Sequence, residues 1–227
     1  MRVLAAGSLK PVWPLLMTQF TGTVRTDYAP AGLLRERIEA GEACDLFASA
    51  SEVHATTLLN SGHALAVMPF ATNRLCLTVR SDLMLPGDDW YSLLTRQSLR
   101  LATSTPVADP SGDYAQILFT RMGDVGDAVR HRAQALVGGP DTVPIPAGRL
   151  AADWIIQQDQ ADLFIGYASY RAALSQIDGL SVIDIPATFN PIAHYTCAVI
   201  SPEARKLAEF LVSEQAKVVL QQAGFGV

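Results

Sequence analysis

Short apolar runs alternate with amphipathic stretches from the first residues of the chain. Residues 3–6 read as a buried strand, and Ser8 opens a helical stretch to about Phe20. Pro14 should kink that helix, since it has no N–H to donate to the carbonyl of Lys10. Residues 23–28 predict a second strand with a helix over 31–40 behind it, and residues 45–48 a third strand followed by a helix over 51–60. This order implies a parallel sheet with helices on both faces. An apolar, β-branched run at 74–80 ends in a loop rich in Pro, Gly and Asp at 81–89. A second series follows: strand 99–102, helices 111–122, 127–136 and 149–158, strands 163–166 and 180–185, an extended run at 195–200, and helices over 202–212 and 214–223.

The runs at 74–80 and 195–200 fall where a chain would cross between two lobes and return. The expected fold is therefore α/β, with two lobes that each hold a central mixed sheet and are joined by two crossing strands. Lobe 1 would comprise residues 1–78 and 198–227 and lobe 2 residues 79–197, with a ligand cleft between them that closes by a hinge. One continuous α/β domain is the alternative.

Composition fits this picture: of 227 residues, 49% are apolar and 17% charged, enough to bury a sizeable core and against disorder. The net charge of −5 is spread along the chain, so no basic face suggests nucleic-acid binding. No apolar run approaches the length of a membrane span. Met1-Arg2-Val3-Leu4 leads straight into the first strand, which implies either that an export signal has been removed or that the protein is intracellular. Cys44, Cys76 and Cys197 form no CxxC pair and read as buried small hydrophobes. The histidines His54, His63, His131 and His194 lack metal-ligand spacing, so no metal site is expected.

Candidate chemistry lies at five junctions that lead into helices: Ala6-Gly7-Ser8-Leu9, Ala29-Pro30-Ala31-Gly32, Ala48-Ser49-Ala50-Ser51, Asp109-Pro110-Ser111-Gly112 and Pro146-Ala147-Gly148-Arg149. Amide N–H groups at a helix start attract negative charge, and small residues let an anion approach them. In a parallel sheet these starts lie at the carboxyl ends of the strands, where ligands bind. Singly, Ser8, Ser49 and Ser111 would also suit ordinary helix caps, and Gly7, Gly32 and Gly112 ordinary turns. The conjunction is the signal.

In their order and spacing, these junctions resemble the periplasmic molybdate-binding proteins of bacterial ABC transporters, within the type II periplasmic-binding-protein superfamily. The likeness is carried by Ala5-Ala6-Gly7-Ser8-Leu9, Ile38-Glu39-Ala40-Gly41, Ala43-Cys44-Asp45-Leu46-Phe47 with Ser49-Ala50, Asp109-Pro110-Ser111-Gly112-Asp113-Tyr114-Ala115, Phe164-Ile165-Gly166-Tyr167 and Ala223-Gly224-Phe225. The Pro30-Ala31-Gly32 and Ala6-Gly7-Ser8-Leu9 pieces are similar to archaeal tungstate/molybdate-binding members. The resemblance implies that Ser8 is a hydroxyl and amide ligand, that Ala50 and Ser111 present amides, and that Tyr167 donates its phenol. Ala31 stands where bacterial members usually carry a second ligand serine, so one hydroxyl is missing, with Gly32 beside it. Arg149 stands where a small apolar residue is common; its guanidinium either pairs with the anion in bidentate fashion or points outward and is solvated. Of two carboxylates with which archaeal members expand the metal's coordination, Asp109 matches one, but Gly166 stands at the other. A tetrahedral oxyanion held by hydrogen bonds is therefore expected rather than a six-coordinate metal.

The resulting expectation is a periplasmic substrate-binding protein for a tetrahedral oxyanion, molybdate or tungstate, with no other cofactor. Its partners would be that oxyanion and, transiently, an ABC permease; it would bind no nucleic acid and act as a monomer. Sulfate, phosphate or phosphonate binding and an intracellular anion-sensing module are the alternatives. No GxSxG, GxxxxGK[ST] or Cys/His constellation points to an enzyme.

Overall fold

Val3, Leu4 and Ala5 are fully buried, as expected of a strand covered on both faces. They lie in β1 (Arg2–Ala6), which runs parallel to its two neighbours and is followed by α1 (Trp13–Gln19), β2 (Arg25–Ala29), α2 (Ala31–Glu39), β3 (Leu46–Ser49), α3 (Glu52–Asn60) and β4 (Ala66–Asn73). The second unit holds β5 (Leu75–Arg80), α4 (Trp90–Thr95), β6 (Leu101–Ser104), α5 (Pro110–Arg121), α6 (Asp124–Arg132), β7 (Gln134–Val137), α7 (Ala151–Gln157), β8 (Leu163–Tyr167), α8 (Arg171–Leu174) and β9 (Leu180–Asp184). The chain then returns to the first unit through β10 (Ala193–Val199), α9 (Arg205–Leu211) and α10 (Glu214–Gln222). This computed structural model describes all of residues 1–227.

Each unit is built on one mixed five-stranded sheet, ordered β2-β1-β3-β10-β4 in lobe 1 and β7-β6-β8-β5-β9 in lobe 2. In lobe 1 the antiparallel member is β10, paired with both β3 and β4. In lobe 2 it is β5, paired with β8 and β9. The expected lobe boundaries fall inside these two strands. The units divide instead as Met1–Asn73 with Ile192–Val227 and Arg74–Pro191, because each strand stays whole in the sheet that satisfies its hydrogen bonds. Asn190 fixes the start of β5: its side chain accepts from Leu75 N at 2.9 Å and donates to Leu75 O at 2.7 Å, as a strand neighbour would.

Three local expectations change. Gly7–Leu9 forms a short 3-10 turn and α1 begins only at Trp13, so Pro14 occupies the first helical turn, where a missing N–H costs nothing. No kink is needed. The strand β4 carries Pro69 in its interior, which obscures it in the sequence; it is an edge strand whose pairing with β10 shifts register between Tyr195 and Thr196, a place where proline is tolerated. The expected helix 127–136 ends at Arg132, whose guanidinium donates to the carbonyls of Leu94 and Leu99, and β7 follows. Helix α4 was not expected from the sequence; it starts at a reciprocal capping box formed by Asp89 and Ser92.

Lobe 1 buries Trp13, whose indole donates to Thr26 Oγ1 at 2.9 Å. The tail closes lobe 1: Thr72 and Gly226 exchange backbone hydrogen bonds at 2.7 and 2.9 Å, and Phe225 packs edge-on against Tyr195 with ring centroids 5.3 Å apart. The three cysteines are free, buried thiols, each pushed up to about 12 by desolvation. No helix is long and apolar enough to cross a membrane.

Candidate functional site

In lobe 1 the parallel register sets Ala6 opposite Ala29 and Ala5 opposite Ala48, so β2, β1 and β3 end at one level. That brings the junctions at Gly7-Ser8, Ala31-Gly32 and Ser49-Ala50 to one edge of the sheet. They are not equivalent. The 3-10 turn after β1 has no side-chain cap, and neither has α2, where Pro30 offers no side-chain acceptor. Ala31 at its start is fully buried, and Gly32 is buried beside it. A buried helix start without a cap leaves its amides for water or a ligand. Helix α3 is different. Ser51 caps it by accepting from Val53 N at 3.3 Å. Ser49 donates its hydroxyl hydrogen to Ser51 O at 2.7 Å and accepts from Ser51 N at 3.0 Å, so its side chain serves the turn.

Ser8 is half-buried, and its Oγ accepts a hydrogen bond from Tyr195 Oη at 2.8 Å. The sequence reading missed Tyr195, which reaches Ser8 from β10 only because that strand inserts beside β3, with Thr196 opposite Ser49. It also missed Lys10, whose ammonium lies 6.0 Å from the centre of the Tyr28 ring near the end of β2 and adds positive charge close to this edge.

Lobe 2 has a corresponding edge at the ends of β6, β7 and β8, again parallel neighbours. Ser111 lies in the first turn of α5, after β6, and Tyr167 ends β8, nearly fully buried. Here the helix is capped from within: Asp109 Oδ1 accepts from Ser111 N at 3.1 Å. Desolvation pushes the Asp109 carboxyl up to about 6, against the opposing pull of that bond. Val107 completes the loop at a φ of 71°, held by its N–H donating to Asp113 Oδ1 at 2.8 Å. Gly112 lets α5 sit on this loop, because a Cβ there would lie 2.5 Å from Ser104 O.

Arg149 does not begin a helix. It precedes Leu150, which stands at the N-terminal boundary of α7 without a side-chain cap, and its guanidinium turns back along that helix. The guanidinium pairs with Asp153, donates to Gln157 Oε1 at 2.7 Å and lies 5.3 Å from the centre of the Trp154 ring. The Nε–H and one Nη2–H of the guanidinium are thereby engaged along α7.

The chain matches the model of a family described as bacterial extracellular solute-binding protein over residues 1–226. It belongs to that family. Members carry solutes and are not enzymes, and the chain is accordingly a solute-binding protein. It is 44% identical over 221 residues to an uncharacterized protein of Pasteurella multocida, covering 93% of this chain and 92% of that one. Among solved structures it resembles the periplasmic molybdate-binding protein of Azotobacter vinelandii, with a TM-score of 0.76 at 20% identity, covering 100% of this chain and 99% of that one. It resembles the sulfate-binding protein of Mycobacterium tuberculosis with a TM-score of 0.77 at 18% identity, covering 99% and 85%. For the L-phospholactate-bound PEB3 structure, a protein of Campylobacter jejuni, the TM-score is 0.73 at 15% identity, covering 100% and 99%. At such identities these likenesses establish the fold alone, two α/β lobes each on a mixed five-stranded sheet.

Proposed function

We propose that this solute-binding protein captures a tetrahedral oxyanion, molybdate or tungstate, in the periplasm and delivers it as a monomer to an ABC permease. The donors are Ser8 through its hydroxyl and amide, the amides at Ala31, Gly32 and Ala50, and the Tyr167 phenol; the Ser111 amide is held by the Asp109 cap, so Ser111 would turn only its hydroxyl to the ligand. Ser49 shapes its turn, and Arg149 is a solvated residue outside the donor set. The observation that carries this reading is the pair of adjoining helix starts after β1 and β2, free of side-chain caps and lined by small residues. Such a cradle supplies hydrogen-bond donors without a fixed acceptor, which suits an anion with no proton to share.

Sulfate or an organic phosphate is the second reading. It is favoured by Ala31, which lacks a hydroxyl, and by the likeness to a sulfate-binding protein and to a phospholactate-bound fold. Thermal unfolding separates the two. A ligand that binds only the folded state adds about 2.7 kcal/mol of stability at 100 times its dissociation constant. Molybdate and tungstate should raise the melting temperature more than sulfate, phosphate or phospholactate at equal concentration; the reverse order would transfer the assignment.

A further inference from the structure

Ser8 does not stand alone. Its Oγ receives the Tyr195 Oη–H at 2.8 Å, and the Tyr195 ring is fully buried. That ring is held edge-on by two others, Phe70 at 6.3 Å and Phe225 at 5.3 Å between centroids. Phe225 belongs to the Ala223-Gly224-Phe225 ending, which the reciprocal Thr72–Gly226 backbone bonds fasten to β4. The fastening is close, because a Cβ on Gly226 would lie 2.2 Å from Thr72 Oγ1. A line of contacts therefore runs from the end of the chain, through one aromatic ring, to the hydroxyl at the end of β1.

A serine hydroxyl has one hydrogen and two lone pairs. With one lone pair taken by Tyr195, the hydrogen is turned away from the phenol, and the incoming bond polarises the hydroxyl into a stronger donor. A deprotonated oxyanion has only acceptors, so it needs Ser8 in this state. We infer that Tyr195 is a positioning residue that fixes Ser8 as a donor to the ligand, with Phe225 as the clamp that holds its ring. This rests on the reading of Ser8 as a ligand residue.

The test is a double-mutant cycle read by titration calorimetry with molybdate and sulfate, on the full chain. Tyr195→Phe keeps the ring and should weaken binding by about threefold to tenfold, the range of one ordinary hydrogen bond. In a Ser8→Ala background the same change should cost nothing further. A purely structural Tyr195 would lower affinity equally in both backgrounds, and additive losses overturn the inference. Should Tyr195→Phe fold poorly, Phe225→Leu loosens the clamp and leaves the phenol in place; its loss of affinity must also vanish in Ser8→Ala, and an equal loss there again overturns it. A parent protein that binds none of molybdate, tungstate, sulfate and phosphate overturns the oxyanion reading and this inference together. A parent that binds, with an additive cycle, overturns this one alone.

Discussion

Gly112→Ala puts the fit between α5 and the loop after β6 to a numerical test. An added Cβ would lie 2.5 Å from Ser104 O, 2.6 Å from Pro106 N and 2.7 Å from Thr105 C. Carbon atoms in ordinary contact sit about 3.5–4.0 Å apart, so the first turn of α5 must back away by roughly an ångström. All three obstacles are backbone atoms, and no side-chain rotation relieves them. Overpacking of this kind costs about 1–3 kcal/mol, with a rigid neighbour favouring the upper end. Alanine's better helix propensity returns at most about 1 kcal/mol. The overlap wins, for a net loss of about 1–2 kcal/mol, which in a chain of this length lowers the melting temperature by roughly 2–8 °C. Scanning calorimetry reads this directly. Gly7→Ala is the control, since a Cβ there meets nothing within 4 Å and the fold should keep its stability. A Gly112→Ala protein as stable as the parent would refute the packing argument and, with it, the claim that this glycine lets α5 sit on the loop after β6.

His54 predicts an acid limb in stability. It is buried with both ring nitrogens unpartnered, and desolvation, helped by the Arg35 charge, lowers it to about 4 from an ordinary 6.5. The folded state thus resists protonation: its stability is intact above pH 6.5 and declines as pH falls toward 4, by roughly 3 kcal/mol. Urea titrations of His54→Leu should lack that limb, and an unchanged limb would assign it to other groups. Arg149→Ala should alter oxyanion affinity by less than about twofold, since a half-buried guanidinium paired along its own helix contributes little elsewhere. Calorimetry showing a tenfold loss would return Arg149 to the donor set.

Most of the fold was legible because apolar runs of four or five residues separated by amphipathic stretches have few interpretations. The failures have local causes. Pro69 hid β4, since a proline inside a strand is acceptable only at an edge or a bulge, and neither is visible before pairing is known. The run at Gln134–Val137 is too short to separate from the helix before it. The lobe boundaries slipped into β5 and β10 because an apolar run does not say which sheet will complete it. At the candidate site, the junctions could be read from small residues in sequence, but their differences could not. Whether a serine is spent on its own turn, as Ser49 is, or engaged from another strand, as Ser8 is, depends on partners that the chain brings together from afar. Tyr195 lies 187 positions from Ser8, and only the insertion of β10 beside β3 joins them.

Titration calorimetry of the purified protein with molybdate, tungstate, sulfate and phosphate, at one pH and constant ionic strength, tests the central claim most directly. One oxyanion should bind per chain, with molybdate or tungstate tighter than sulfate and phosphate by about tenfold or more, a difference of about 1.4 kcal/mol. Ser8→Ala should reduce that heat signal to a weaker isotherm of the same stoichiometry. No measurable binding of any of the four, or phosphate or sulfate binding tightest, would contradict it.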